Sequence, residues 1–330
     1  MKIWFDFTNP PHVNFFKPVI AYYRDLGNEI LCTAREFVET VELLHLHGIP
    51  FDLYGKHGGR KKINKVRALL DRYLKLYRNV GDFDVSFSSN NEAPFISWLR
   101  RKPSYVFDDN DIAPNWLYSK FVNYVVSPVH IDKDAMQRMG VSRDKMIYYD
   151  GFKENIYVAD YVPDPEFMSQ IPFRNFITVR PENIQAAYVP HGVKSIVPEL
   201  IGKLTDKGIN ILYLPRYRAD RDLISMNDRI FIPSKPLNGL DVSYYSDAVL
   251  TGAGSFSREA AVIGTPSVSF FAGDKFLGVD KEMFRRQMVF FSRDPDAIIQ
   301  YLSKAKKKEF SPGASKAVQE SLFDHLNRTL

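Results

Sequence analysis

A single cysteine, Cys32, stands among the 330 residues. One thiol excludes an internal disulfide and any zinc site built on several cysteines, and it fits a reducing cytoplasm. The histidines do not make up the deficit: His45, His47, His57 and His130 share no helix face at ligand spacing, so no metal is expected. Long apolar runs are also missing. None reaches the roughly 18–20 residues of a membrane-spanning helix, and the opening run MKIWF breaks at Asp6, so no signal peptide is expected. There is no internal repeat of solenoid period. No helix-turn-helix, RNP or zinc-finger pattern occurs, so nucleic acid is not an expected partner.

What the chain does carry is charge and aromatic surface. The formal net charge is +5 and 14% of the residues are aromatic. Such a surface suits anionic partners such as phosphates or an anionic membrane face; the alternative is a basic protein that is simply well solvated. Short apolar runs alternate with helical periodicity throughout, the mark of βαβ units and a parallel sheet. KIWFDF (2–7), EILCTA (29–34), PFDLYG (50–55), DVSFSS (84–89), SYVFDD (104–109), NYVVSP (123–128) and MIYYDGF (146–152) read as strands. A stretch with Pro163, Pro165 and Pro172 follows, and then FITVR (176–180), INILYLPR (209–216), RIFIP (229–233), AVLTG (248–252) and SVSFF (267–271). Helices are expected between them and over 294–308 and 313–330. The organisation predicted is two α/β domains, 1–160 and 161–312, facing across a cleft, with 313–330 as a terminal helix. Ligands of such sheets sit at the C-terminal strand ends.

The stretch SDAVLTGAGSFSREAAVIGTPSVSFF (246–271) joins an apolar strand to a helix through glycine and small residues. Backbone can approach a ligand closely there, and a helix N-terminus presents unpaired N–H groups to an anion. Glu259 is placed about one turn in. It has two readings: an acid complementing the helix dipole, or a carboxylate reaching past a diphosphate to the hydroxyls of a ribose.

TGAGSFSREAAVIGTP (251–266) resembles the nucleotide-sugar motif of GT-B glycosyltransferases. It is similar to the MurG enzymes, which add N-acetylglucosamine to a lipid-linked precursor, and to the UDP-N-acetylglucosamine 2-epimerases. DFTNPPHVNFFKPVI (6–20), KHGG (56–59) and GVDK (278–281) resemble an uncharacterised, largely archaeal family related to both. The resemblance implies two Rossmann-like domains, with a nucleotide sugar bound mostly by the second and the last helix crossing back to the first. It implies a metal-independent enzyme without a cofactor, the nucleotide sugar being substrate. The acid matching Glu259 would bind the uridine ribose, and Gly252, Gly254, Ser255 and Ser257 would face the diphosphate. FIPSKPL (231–237), Ile232 included, would lie along the base. Asp280 and Lys281 would meet the donor sugar.

Further candidates follow the other strands. His12 stands in the first strand-to-helix loop, where a group titrating near neutrality could act as general base toward an acceptor; a structural histidine is the alternative. Asn9 and Asn14 face the same acceptor side. Arg180 and Arg216 could clamp phosphate oxygens, while Arg218 is expected to pair with Asp220 or Asp222. Asn90, Asn91 and Glu92 follow one strand, and Asp108, Asp109 and Asp111 another. The epimerases use carboxylates in such loops, but the first of these positions is an amide here. Asp108 is the other candidate base, or else a turn residue. The basic run KHGGRKKINKVR (56–67) and the aromatics at Tyr73 and Tyr77 could rest on anionic lipid; a solvated helix face is the alternative. Transfer of a sugar from a UDP-type donor to a glycan or lipid-linked acceptor is the expected function. The alternatives are an epimerase-like reaction and a non-catalytic nucleotide-sugar binder. A cytoplasmic location, peripheral to the membrane, is expected.

Overall fold

The structure, a computed structural model, describes residues 1–37, 39–56, 62–113, 116–186 and 189–330. It divides into two compact units, Met1–Tyr157 with Ala317–Leu330, and Val158–Lys316.

In the first unit the strands are β1 (Lys2–Phe7), β2 (Glu29–Glu36), β3 (Asp52–Lys56), β4 (Val85–Ser88), β5 (Ser104–Phe107), β6 (Tyr124–Pro128) and β7 (Met146–Tyr149). Its helices are α1 (Pro10–Asp25), α2 (Thr40–Leu46), α3 (Lys62–Asn79), α4 (Glu92–Leu99), α5 (Trp116–Ser119), α6 (Lys133–Arg138) and α7 (Lys153–Val158). Among the described residues the strands form one sheet in the order β3-β2-β1-β4-β5-β6-β7, with parallel pairing throughout. Strands covered on both faces are apolar along most of their length: Ile3, Trp4, Phe5 and Phe7 of β1 are fully buried, with Asp6 the one buried charge among them. The core is aromatic: Phe16 meets Phe5, Phe7 and Phe107 edge-on at 5.2–5.8 Å, a favoured geometry for ring pairs.

The second unit holds β8 (Ile177–Arg180), β9 (Ile211–Tyr213), β10 (Ile230–Phe231), β11 (Ala248–Thr251), β12 (Ser267–Ser269) and β13 (Val289–Phe291). Around them lie α8 (Val197–Asp206), α9 (Arg218–Arg221), α10 (Gly239–Tyr245), α11 (Gly254–Ile263), α12 (Gly278–Arg285) and α13 (Pro295–Leu302). The order is β10-β9-β8-β11-β12-β13, again parallel. Its core is mainly aliphatic, built on Val179, Leu200, Ile211, Leu250 and Val268. Helix α11 stops at Gly264, whose φ of 96° is the left-handed conformation glycine adopts freely.

The last helix, α14 (Gly313–Thr329), belongs to the first unit from Ala317 onward. Phe323 stacks on Tyr22 at 4.0 Å, and Gln319 donates to the Ile156 carbonyl at 2.8 Å. The Tyr105 hydroxyl donates to the Thr329 carbonyl at 2.7 Å. Gly151 leaves room for this helix, since a Cβ there would collide with Val318.

Candidate functional site

Strand order reverses between β8 and β11 in the second unit. Loops leaving the C-terminal ends of such a pair diverge, and open α/β sheets bind ligands at that point. Arg180 ends β8, and its guanidinium stands 6.0 Å from the Phe256 ring centroid. Gly252 follows β11, and its N–H donates to the Arg180 carbonyl at 3.1 Å. A Cβ at 252 would run into the backbone of Glu182, so the close packing of the two loops itself requires glycine. Glu182 is buried. Its carboxylate accepts from Ser195 Oγ at 2.9 Å, the Ile196 N–H at 3.2 Å and Arg293 Nη2 at 3.1 Å. This anchors the turn that carries Arg180.

Arg216 lies beyond β9. Its N–H and that of Tyr217 donate to Asp220 Oδ2 at 2.8 and 3.0 Å. Asp220 therefore caps its own helix, where a pairing with Arg218 was expected. The Arg216 Nε is buried without a hydrogen-bond partner among the described residues. An orphaned buried donor is costly, and an oxygen-rich ligand would satisfy it.

Helix α11 begins at Gly254. Ala253 in the capping position offers no side-chain bond, and the first turn holds no acid. Glu259 thus sits in the second turn, about one turn in as expected. The dipole effect fades within the first turn, so its contribution there is small. Glu259 Oε2 lies 3.7 Å from where a Cβ of Gly239 would stand, beside the start of α10. Ile232 is half-buried and packs on the sheet core. Ser257 is turned away from the helix end: it is buried, and its Oγ donates to the Gly254 carbonyl at 2.8 Å. Asp280 Oδ1 accepts from Arg258 Nη1 at 2.6 Å, while Lys281 is exposed. Arg180, Arg216, Gly252, Gly254, Ser255 and Glu259 thus belong to one end of one sheet. Arg258, Glu182 and Arg293 were not anticipated. The lone sequence signal for Arg258 was a basic residue inside the small-residue motif.

In the first unit the order reverses between β1 and β4. His12, in the first turn of α1, is half-buried, and its Nδ1 lies 3.4 Å from Thr8 Oγ1. Burial, with help from the Lys153 and Arg35 cations and against Asp109, pushes its pKa down to about 3. The expected near-neutral titration is corrected by this setting: the imidazole is neutral at pH 7 and a weak base. Asn9 holds the capping position of α1 without a side-chain bond, and Asn14 is half-buried on the same helix. Asn91 is engaged structurally, accepting from the Tyr118 N–H at 3.0 Å.

Asp108 is a turn residue. One carboxylate oxygen accepts from the Asn110 N–H at 2.9 Å and the other from the Tyr118 hydroxyl at 2.6 Å. Asp109 pairs with Lys153 at 2.8 Å, and Asp111 accepts from the Asp132 N–H at 2.7 Å. Beneath these loops lies a charged network. Arg72 Nη2 is 2.7 Å from Asp6 and Nη1 is 2.9 Å from Glu92, all three nearly inaccessible to solvent. Asn90 Nδ2 donates to Asp6 at 2.8 Å, and its Oδ1 accepts from the Glu92 and Ala93 N–H groups. Burial raises the pKa of Asp6, with Arg72 opposing. Arg35 Nη2 donates to the Thr8 carbonyl at 3.1 Å, tying this layer to the loop that carries His12. Among the described residues no group of three or more His, Cys, Asp or Glu side chains could hold a metal ion.

The profile of a family described as "Protein of unknown function (DUF354)" matches residues 1–324. An uncharacterized protein from Methanocaldococcus jannaschii is 26% identical over 316 residues, covering 92% of this chain and 91% of that protein. Among solved structures, the M. jannaschii UDP-GlcNAc 2-epimerase in complex with UDP-GlcNAc and UDP superposes with a TM-score of 0.71 at 14% identity, covering 99% of this chain and all (100%) of that one. The Neisseria meningitidis UDP-GlcNAc 2-epimerase bound to UDP-GlcNAc gives 0.68 at 13% identity, with 98% and 100% coverage. At such identities the likeness is one of fold: two Rossmann-like α/β units with parallel sheets, the GT-B architecture.

Proposed function

The chain belongs to the DUF354 family, whose function is unknown, and from that membership and the geometry above we propose that it is a nucleotide-sugar enzyme whose second unit holds a UDP-type donor. One observation carries the reading. The uncapped N-terminus of α11, Arg180 and the orphaned Nε of Arg216 lie at one sheet end, with the Glu259 carboxylate a turn further on. In this reading the diphosphate rests on the α11 N–H groups and the two guanidiniums, and Glu259 accepts from the ribose hydroxyls. The 231–237 backbone, with Ile232, runs along the base. Structures of the same fold named as complexes with UDP-GlcNAc and UDP support it.

The reaction proposed is sugar transfer. The bond from sugar C1 to the diphosphate oxygen breaks, the acceptor oxygen bonds to C1, and the acceptor proton passes to His12, the diphosphate leaving with the electron pair of the broken bond. The helix end and the arginines stabilise the charge that develops on the leaving diphosphate. Asn9, Asn14 and His12 of the first unit serve the acceptor, and an anion close to His12 would raise its basicity. Transfer is favoured over epimerisation by what the first-unit loops offer. Asn90 is an amide, Asp108 is held by Tyr118, and Asp109 is held by Lys153. The epimerase reading stands second, on the named activity of the neighbours. Incubation with UDP-GlcNAc in D₂O separates the two. Transfer is expected to leave the C2 proton in place by NMR; deuterium at C2 would establish the epimerase reading. UDP-GlcNAc bound but unchanged with every acceptor tried would leave a binding protein.

A membrane role belongs to the same proposal. Most of the 56–61 stretch lies outside the described residues, but α3 exposes Val66, Leu70, Leu74 and Tyr77. Trp98 and Leu99 of α4 are exposed as well. Arg100 lies over the Tyr77 ring at 5.9 Å. Apolar and aromatic side chains among cations suit an anionic bilayer surface, where a lipid-linked acceptor would be found. Among the described residues no helix is long and apolar enough to cross a membrane. The protein is expected to float with phosphatidylglycerol vesicles and not with phosphatidylcholine vesicles. Equal recovery with both would remove this part.

A further inference from the structure

A buried cation stands where helix electrostatics opposes it. Arg258 lies in the second turn of α11 and is 3% exposed. Its guanidinium folds back over the first turn, with Nη2 3.3 Å from Ser255 Oγ. Nη1 stands 3.1 Å from where a Cβ of Gly254 would be. Helix N-termini are positive and favour acids; a chain built only for stability would not bury a guanidinium over one. Asp280 offsets the charge. It stands in the first turn of α12, a favourable place for a carboxylate, and its Oδ1 accepts from Nη1 at 2.6 Å. Both its oxygens lie 3.8 Å from that same Gly254 Cβ position. Gly254 is thus enclosed by the pair. Any side chain there would press on the guanidinium, so the glycine makes space for Arg258 as well as for a ligand.

We propose that Arg258 is a specificity determinant of the donor site. It adds a positive charge at the start of α11 that selects a nucleoside diphosphate over the nucleoside, and Asp280 sets the strength of that preference by partial neutralisation. The inference rests on the donor-site reading above. It assigns Asp280 to the control of Arg258, where contact with the donor sugar was expected. Without ligand, the Arg258–Asp280 pair keeps a guanidinium buried at a helix start that would otherwise repel it. With a diphosphate on the helix end, phosphate oxygens share the guanidinium with Asp280. No bond is made or broken in this exchange.

The test is calorimetric titration of uridine, UMP and UDP into wild type, Arg258→Gln and Asp280→Asn, with UDP-GlcNAc as a fourth ligand. Arg258→Gln is expected to weaken UDP about tenfold or more relative to uridine, the worth of one charge-assisted hydrogen bond. Asp280→Asn keeps the side-chain shape and removes a negative charge beside the phosphates. It is expected to tighten UDP about tenfold and leave uridine unchanged; a misfolded variant cannot produce that gain. An unchanged UDP-to-uridine ratio in both variants would overturn the inference while leaving the donor site intact. So would an Asp280→Asn variant that loses UDP-GlcNAc affinity but keeps that for UDP, which would assign Asp280 to the sugar. Failure of wild type to bind any uridine ligand would overturn the donor-site reading and this inference together.

Discussion

His12 shows how far a residue's surroundings outweigh its type. A histidine in a strand-to-helix loop is easily read as a group poised near pH 7. Packing against the sheet end, with Lys153 and Arg35 nearby, instead holds it neutral down to about pH 3. The consequence for stability has a definite sign. The unfolded chain takes up a proton at the ordinary histidine value of 6.5, and the folded chain does not until about 3. Stability contributed by this site is therefore complete above pH 6.5 and falls as the pH drops toward 3. Urea midpoints at pH 7.5, 5.5 and 4.5 should show wild type losing more on acidification than His12→Gln. Parallel loss in the two proteins would show that His12 is not held neutral. Asp108 teaches the same lesson. Its carboxylate is a natural candidate base by position, yet Tyr118 and the Asn110 N–H take both its oxygens. The turn made with Asn110 is local and was open to a sequence reading; the Tyr118 hydroxyl, which comes from α5, was not.

At the scale of elements, most of the fold was legible because parallel α/β proteins alternate apolar runs with periodic helices. WFDF, YVVS and AVLT are strands by composition and length, and they are strands in the structure. Strand β13 (Val289–Phe291) was missed, because three residues are too few to establish a period. Helix α12 (Gly278–Arg285) was missed as well, since it lies beyond the last strand read from the sequence. Ion pairs between distant elements left no trace either: Arg258 and Asp280 are on different helices, and Arg72 joins α3 to β1 and α4. The Arg72 network makes an element-scale prediction. Removing one member of a buried charge cluster leaves the others uncompensated, at a cost of about 3–5 kcal/mol. Arg72→Met should lower urea stability by about that amount, and adding Asp6→Asn and Glu92→Gln should recover much of it. If Arg72→Met cost under about 1 kcal/mol, the network would be no more than a surface-like pairing.

Considered as a whole molecule, the chain shares the fold of the UDP-GlcNAc 2-epimerases it superposes on. The recognisable part of the candidate site was the small-residue motif, since a chain that leaves a strand through glycines packed close to a neighbouring loop leaves a compositional mark. The rest depends on which loops meet at a sheet end, and that follows from strand order. Glu259 joins the two kinds of information: it is legible as an acid in the motif, and its place in the second turn follows once α11 is seen to begin at Gly254. The measurement that most directly tests the central claim is calorimetric titration of UDP into wild type and Glu259→Ala, with GDP as control. The account expects wild type to bind UDP in preference to GDP, and Glu259→Ala to lose about tenfold or more of that affinity, as for a lost hydrogen bond to a charged group. Equal UDP affinity in the two proteins, or no binding to either, would contradict it.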